Sequence, residues 1–261
     1  MKLKITPPRE INELISKGAI FYISHSGGKD SQAMYILLKD LIPEEQIVVV
    51  HADLGEVEWL GVQDHILNTI KHDLNVVKAV KRNGEPKTLL GMVEERQKWP
   101  SSSCRQCTSD LKRGPIMKFI RNDLKKKGAT LAINCTGIRA EESDARAKKN
   151  PFALNKRESV NKRVQRTVFD WMPIFDLSKK EVFRLIEEAK QRPFWAYKKN
   201  ERLSCVFCIM GSINDLRHGA EQRPELYKKY VNLEKQIGHT MFMKANEPIY
   251  LEDHIGIKVT A

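Results

Sequence analysis

The stretch Ser26-Gly27-Gly28-Lys29-Asp30-Ser31 decides how this chain folds, because of what stands on either side of it. Residues 19–25 (Ala-Ile-Phe-Tyr-Ile-Ser-His) form a short apolar, aromatic run that reads as a strand. Residues 32–41 (Gln-Ala-Met-Tyr-Ile-Leu-Leu-Lys-Asp-Leu) read as a buried helix. Strand, glycine turn and helix in that order make an anion site for mechanical reasons. Paired glycines let the backbone turn sharply and approach a ligand with no Cβ in the way. The amides that open the next helix face the ligand, and the helix dipole favours negative charge there. Ser26 and Ser31 add hydroxyls and Lys29 adds a point charge. Asp30 is the wrong sign for direct phosphate contact, so it either caps the helix or holds a magnesium ion bridging phosphates. A plain βα turn also uses glycine, but the lysine and both serines argue against that reading.

Outward from the turn, strands and helices alternate. Residues 46–53 include four consecutive β-branched residues, Ile47 to Val50, and read as a strand buried on both faces. A helix is expected over 56–74, with Trp59, Val62, Ile66 and Ile70 on one side. Further strands are expected at 76–80, 131–136 and 168–174. A basic amphipathic helix is expected over 109–127, kinked or begun near Pro115. Ser178 caps a helix running to residue 188, with Glu181 in the capping-box position. Before the first strand, residues 8–17 read as a short helix. The pattern predicts a three-layer, Rossmann-like α/β fold with a mostly parallel five-stranded sheet. A nucleotide-binding domain over 1–190 would be followed by a helical C-terminal part over 191–261.

Composition fits a globular protein: 261 residues, 41% hydrophobic and 30% charged. No apolar run reaches the ~20 residues a membrane span needs, and residues 1–8 lack a signal-peptide core. A cytoplasmic protein with no membrane partner is expected. The net charge of +12 favours polyanionic partners such as nucleotides, DNA or RNA. Much of that charge crowds into 139–166, as Arg139, Arg146, Lys148, Lys149, Lys156, Arg157, Lys162, Arg163 and Arg166. With no apolar periodicity, the segment reads as a long loop. It either follows a nucleic-acid backbone or is a solvated surface, with Arg139 and Arg146 serving the nucleotide.

Four of the five cysteines form two pairs, Cys104-Arg-Gln-Cys107 and Cys205-Val-Phe-Cys208. Four soft ligands at this spacing suit tetrahedral zinc or an iron–sulfur cluster; two separate redox pairs are a further option. Cys135, inside an apolar strand, reads as a small hydrophobe. Asp53, at the end of the second strand, either reaches a ribose or magnesium or caps the helix after it. His25 and His51 end strands at the same edge and read as structural rather than catalytic.

The hexapeptide resembles the PP-loop of the adenine nucleotide alpha-hydrolase superfamily, which includes ATP pyrophosphatases and the phosphoadenosine phosphosulfate (PAPS) reductase family. It is not a Walker loop, because the Gly-x-x-x-x-Gly-Lys spacing is missing. The likeness extends over roughly 19–212. It includes His51-Ala-Asp-Leu-Gly55, Gly137-Ile-Arg-Ala-Glu-Glu-Ser143 with Arg146, and Trp171-Met-Pro-Ile-Phe-Asp176. It implies that ATP is held by Ser26, Gly27, Gly28, Lys29, Asp30, Ser31, Asp53, Gly137, Arg139 and Arg146, with Lys29, Asp30, Ser31 and Arg139 taking part in catalysis and magnesium at the phosphates. It also favours a four-iron (4Fe-4S) cluster on Cys104, Cys107, Cys205 and Cys208, with zinc as the alternative. The full Ser-Gly-Gly-Lys-Asp-Ser form is typical of members that split ATP between its α- and β-phosphates. No cysteine follows Cys208, where thiol-linked sulfonucleotide reductases carry a nucleophile. The expected function is therefore that of an ATP-dependent sulfurtransferase, of the DNA phosphorothioation or tRNA thiolation type, supplied by a sulfur donor such as a cysteine desulfurase. The alternatives are a sulfonucleotide reductase and a non-catalytic nucleotide- or nucleic-acid-binding protein with structural zinc.

Overall fold

The computed structural model describes residues 7–159, 165–245 and 247–259. The chain forms two compact units, each assembled from separated segments. One comprises Met1–Ala52, Gly61–Val77 and Ile116–Phe194; the other comprises Asp53–Leu60, Lys78–Pro115 and Trp195–Ala261.

The first unit is the expected three-layer α/β structure. It holds the strands β1 (Ile20–Ser24), β2 (Ile47–Ala52), β3 (Leu74–Val77), β4 (Leu131–Cys135), β5 (Phe152–Leu154) and β6 (Thr167–Trp171). They form one sheet in the order β3-β2-β1-β4-β6-β5, with every pairing parallel except β5–β6. Its helices are α1 (Arg9–Ser16), α2 (Lys29–Leu38), α3 (Val62–Thr69), α5 (Gly114–Lys127, the first two residues belonging to the other unit), α6 (Asp144–Ala147) and α7 (Lys179–Glu188); α4 lies in the second unit.

Side-chain alternation along a strand sends neighbours to opposite faces, and β1 shows the result. Phe21 and Ile23 join a core with Leu38 of α2 and Val182, Leu185 and Ile186 of α7. Ile20 and Tyr22 join a second core with Met117, Ile120 and Leu124 of α5. Burying each such aliphatic side chain contributes about 1.5–3 kcal/mol. Cys135 lies fully buried in β4 and burial pushes its thiol well up, as expected of a small hydrophobe.

Several expected boundaries are corrected. Among the described residues the sheet has six strands, not five: Phe152–Leu154 pairs antiparallel with β6 inside the segment expected to be a long loop, which also holds α6. The helix expected over 56–74 is broken. Gly61 adopts a left-handed φ of 81°, leaving only α3, and β3 begins at Leu74. The helix after the glycine turn starts at Lys29, three residues early. The capping box of Ser178 and Glu181 forms as expected.

The second unit is mainly helical: α4 (Leu89–Arg96), α8 (Ile213–Gln222), α9 (Pro224–Ile237) and α10 (Leu251–Ile255), with a hairpin of β7 (Phe242–Lys244) and β8 (Glu247–Ile249). The sequence reading had no helix at α4, although Thr88 caps it through the amide of Gly91. Among the described residues, no helix is long and apolar enough to cross a membrane.

Candidate functional site

Sheet order fixes where the first unit can hold a ligand. From β1 the chain moves one way to β2 and later returns to place β4 on the other side of β1. Ligands of open α/β sheets bind where the order reverses, beyond the carboxyl ends of the strands. Here the turns that leave β1 and β4 meet at that point.

The turn after β1 is built by its own side chains. His25 continues the pairing, its amide donating to Val50 O at 2.8 Å. Gly27 takes a left-handed φ of 74°, and a Cβ there would lie 2.9 Å from Val62 Cγ1, so glycine is required twice over. The Gly27 amide donates to His25 Nδ1 at 3.1 Å. The Ser31 hydroxyl donates to the Gly28 carbonyl at 2.9 Å and accepts the Ser26 amide at 3.1 Å. Ser31 therefore closes the loop from within, while Lys29, Asp30 and Ser31 form the first turn of α2.

The turn after β4 presses directly on that helix. A Cβ on Gly137 would stand 3.0 Å from Asp30 C and 3.0 Å from Ser31 N. Two residues on, Arg139 Nε donates to Asp30 Oδ1 at 2.7 Å, and Lys29 Nζ donates to Asp30 Oδ2 at 2.8 Å. One carboxylate thus carries two cations that are nearly buried, Lys29 at 5% and Arg139 at 3% exposure. Arg139 Nη1 also reaches Glu141 Oε2 at 2.5 Å and the Leu177 carbonyl at 3.1 Å. Burial opposes its charge, but these carboxylates more than offset it and hold the guanidinium pKa up. Arg146 pairs with Glu142, whose carboxylate also accepts the Arg139 amide.

His25 is 2% exposed, and among the described residues its Nε2 has no hydrogen-bond partner. Burial, followed by the charges of His65 and His51, pushes its pKa down to about 3. It is therefore neutral, and Nδ1 is free to accept from Gly27. His51 Nδ1 donates to the His25 carbonyl at 2.9 Å. Both histidines shape the loop.

The basic segment divides by partner. Arg139, Arg146 and Arg166 are tied to carboxylates, Arg166 through Glu158. Lys148, Lys149, Lys156 and Arg157 are exposed. Lys162 and Arg163 lie outside the described residues.

The remaining sequence-derived candidates lie in the second unit. Asp53 Oδ1 accepts the Gly55 amide at 2.6 Å and Oδ2 pairs with Lys78 at 2.9 Å, the geometry of a turn cap. All four paired cysteines are here. Cys205 donates to Cys208, pushing the Cys208 pKa down to about 5 and its own up; the Met210 amide, at 3.4 Å, also supports the Cys208 sulfur. Burial and then the Cys208 charge push Cys107 up, and Lys112 favours the thiolate form of all three. Cys104 is exposed, on a turn closed by the Ser101 hydroxyl. Among the described residues, no three His, Cys, Asp or Glu side chains stand in metal-binding geometry. The turn at Cys205 is held tightly: a Cβ on Gly219 of α8 would meet Val206 Cγ1 at 2.8 Å.

The family model described as "Phosphoadenosine phosphosulfate reductase domain" matches residues 20–209, from the start of β1 to just past Cys208. The chain belongs to this family. This family member is 27% identical over 218 residues to an uncharacterized protein of Methanocaldococcus jannaschii; the alignment covers 83% of the chain and 48% of the relative. The chain thus spans about half the length of that curated relative. Among solved structures it is similar to phosphoadenylyl-sulfate (PAPS) reductase from Candida auris in its phosphate complex. That match has 12% identity and a TM-score of 0.43, covering 78% of this chain and 98% of the other.

Sequence reasoning missed three contributors within this family member. His25 was read as structural without its role in seating Gly27. Glu141 stands in the sequence only as part of the segment after β4, yet it holds both Arg139 and the Lys179 amide. Lys112, five residues after Cys107, carried a visible signal as a cation beside a thiolate pair.

Proposed function

We propose that this chain is a PP-loop enzyme that splits ATP between its α- and β-phosphates to activate a substrate oxygen for replacement by sulfur. The observation that carries this reading is the convergence of Lys29 and Arg139 on Asp30 at the first turn of α2, with Gly137 pressed against the same turn. Two nearly buried cations and helix-opening amides suit a polyphosphate. Asp30 is the residue that would hold magnesium. Its engagement there would release Lys29 and Arg139 to the phosphates, where magnesium supplies charge neutralisation.

The reaction balances as follows. A substrate oxygen attacks the α-phosphorus and pyrophosphate leaves, carrying the electron pair of the broken P–O bond. A hydrosulfide-level sulfur species then attacks the centre bearing the adenylated oxygen, and AMP departs with that oxygen. Lys29, Arg139 and the α2 amides stabilise charge that develops on the phosphates, the main task in such chemistry.

Cys104, Cys107, Cys205 and Cys208 are the residues that would hold a four-iron cluster, or zinc in its place. The chemistry of the donors fits: Cys205 and Cys208 are already paired, the Cys208 charge reaches Cys107, and Lys112 favours the thiolate of each. Metal binding would have to draw both Cys107 and the exposed Cys104 in toward the Cys205–Cys208 pair, since among the described residues no three of these thiols stand in metal-binding geometry. When bound, a cluster would supply an acceptor for the incoming sulfur. Nucleic acid is the proposed substrate class, on the exposed Lys148, Lys149, Lys156 and Arg157, with a cysteine desulfurase as the class of sulfur donor.

The family description favours a second reading, reduction of a sulfonucleotide to sulfite. One experiment separates the two. The protein is incubated anaerobically with α-labelled ATP, with and without DNA or tRNA, and in parallel with each sulfonucleotide and a thiol. AMP and pyrophosphate formed only with nucleic acid support the first reading. Catalytic sulfite release without ATP cleavage replaces it with the second.

A further inference from the structure

Charge is arranged on α5 unlike on the helices across the sheet from it. Its inward side chains Met117, Ile120 and Leu124 pack on the sheet. Every exposed charged side chain on it, Lys118, Lys125, Lys126 and Lys127, is basic. Its one acid, Asp123, turns inward: Oδ2 accepts the Tyr22 hydroxyl at 2.8 Å and pairs with Lys127 at 2.8 Å. On the opposite face of the sheet, α1 sets Glu13 against Arg9 and α7 sets Glu188 against Arg184. The helix dipole accounts for lysines in the last turn of α5. It does not account for Lys118, which lies in the second turn, nearer the positive end.

The basic surface continues beyond the helix. Arg121 Nη1 donates to Glu158 Oε2 at 2.8 Å, and Arg166 pairs with the same carboxylate, so Glu158 is enclosed by cations. Lys156 and Arg157, just before it in the chain, are exposed. From there β5 leads back to the carboxyl end of the sheet, where Phe152 pairs with Trp171 and the exposed Lys148 and Lys149 lie close by in sequence. Basic side chains thus run from the ligand edge, along β5 and across α5.

What this surface lacks identifies its partner. Protein interfaces centre on apolar or aromatic anchors and are poor in lysine. Among the described residues no large hydrophobic side chain is exposed on α5, and Phe119 is turned in against Tyr22, ring centroids 6.3 Å apart. Single-stranded nucleic acid is held by aromatic faces on which its bases stack, and α5 exposes none. Lysines without such anchors suit the phosphate backbone of a duplex. From Lys118 to Lys125 the helix rises roughly 10 Å, about three base pairs of duplex.

We propose that the outer face of α5, through Lys118, Lys125 and Lys126 with Lys156 and Arg157 beside them, grips the phosphate backbone of a nucleic-acid duplex and leads it to the ligand edge of the sheet. The inference rests on the reading that nucleic acid is the substrate class. It adds that the substrate is held as a duplex, and by a helix outside the basic segment after β4.

The test compares wild-type protein with two triple variants of the full chain. In one, Lys118, Lys125 and Lys126 are replaced by alanine, the best helix former, so α5 is kept. In the other, the exposed Lys17, Lys71 and Lys180 are replaced by alanine, which removes the same charge elsewhere on the unit. Fluorescence anisotropy follows binding of labelled DNA and RNA duplexes, and of their separate strands, across salt concentrations. The α5 variant should lower the slope of log affinity against log salt by about 2–3, while the control variant stays close to wild type. Wild-type protein should bind duplex more tightly than single strand. Equal slopes in the α5 variant and wild type, or an equal fall in the control, overturn this inference alone, as does a preference for single strands. Wild-type protein that binds no nucleic acid overturns the substrate reading and the inference together, and turns the search to an acidic protein.

Discussion

Arg139 Nε lies 2.7 Å from Asp30 Oδ1, joining residues 109 positions apart across the mouth of the glycine turn. With Lys29 on the other carboxylate oxygen, Asp30 engages both of the cations that the proposed ligand needs. The carboxylate and the phosphate thus compete for the same partners. Asp30→Asn should cost about 1–3 kcal/mol of stability, because Arg139 keeps Glu141 and the Leu177 carbonyl. In metal-free buffer the variant should nevertheless bind pyrophosphate roughly tenfold more tightly than wild type, as seen by calorimetry. Weaker binding would contradict the competition.

Gly137 makes a second contact with the same helix turn, and its neighbours there are backbone atoms, which cannot swing aside. Gly137→Ala should destabilise the protein by about 1–3 kcal/mol through overpacking and should weaken nucleotide binding in parallel. Urea unfolding and calorimetric titration check both. An alanine variant with wild-type stability would mean the turn after β4 is not seated as described.

His25 sets a pH dependence. Its folded pKa, about 3, lies below the unfolded value of 6.5, so between these limits the unfolded chain binds the extra proton. The contribution of neutral His25 is complete above pH 6.5 and is lost as pH falls toward 3. His25→Asn, whose Oδ1 can still accept the Gly27 amide, should flatten the fall of melting temperature between pH 6.5 and 4. The histidines that burial also shifts downward, His65, His218, His239 and His254, will keep part of the slope. An unchanged slope would show that His25 binds its proton equally in the folded and unfolded chain.

How far the sequence revealed this site depended on the range of the interactions. The strand–glycine–helix order was legible because each signal is local, as was the Ser178–Glu181 capping box. Trp59, Val62, Ile66 and Ile70 share a helical period, yet Gly61 breaks the run. Trp59 instead meets Trp195 and His218 edge-on or tilted in the second unit. The three residues of β5 are too few to show a period. Nothing near Asp30 in sequence announces Arg139, and nothing near Gly27 announces that Val62 leaves no room for a Cβ.

The exposed quartet Lys148, Lys149, Lys156 and Arg157 bears on the nucleic-acid reading. Each phosphate contact should add about one to the slope of log affinity against log salt. Replacing all four with alanine should reduce that slope and weaken DNA and RNA binding without regard to sequence, as measured by fluorescence anisotropy across salt concentrations. Identical slopes would remove these residues from any nucleic-acid surface.

Calorimetric titration of MgATP into wild-type protein and into Lys29→Ala tests most directly whether the turn between β1 and α2 grips nucleotide phosphate. Loss of one charge-assisted hydrogen bond should weaken binding roughly 10- to 100-fold, with the fold unchanged by circular dichroism. Equal affinity in the two proteins would contradict the account at its root.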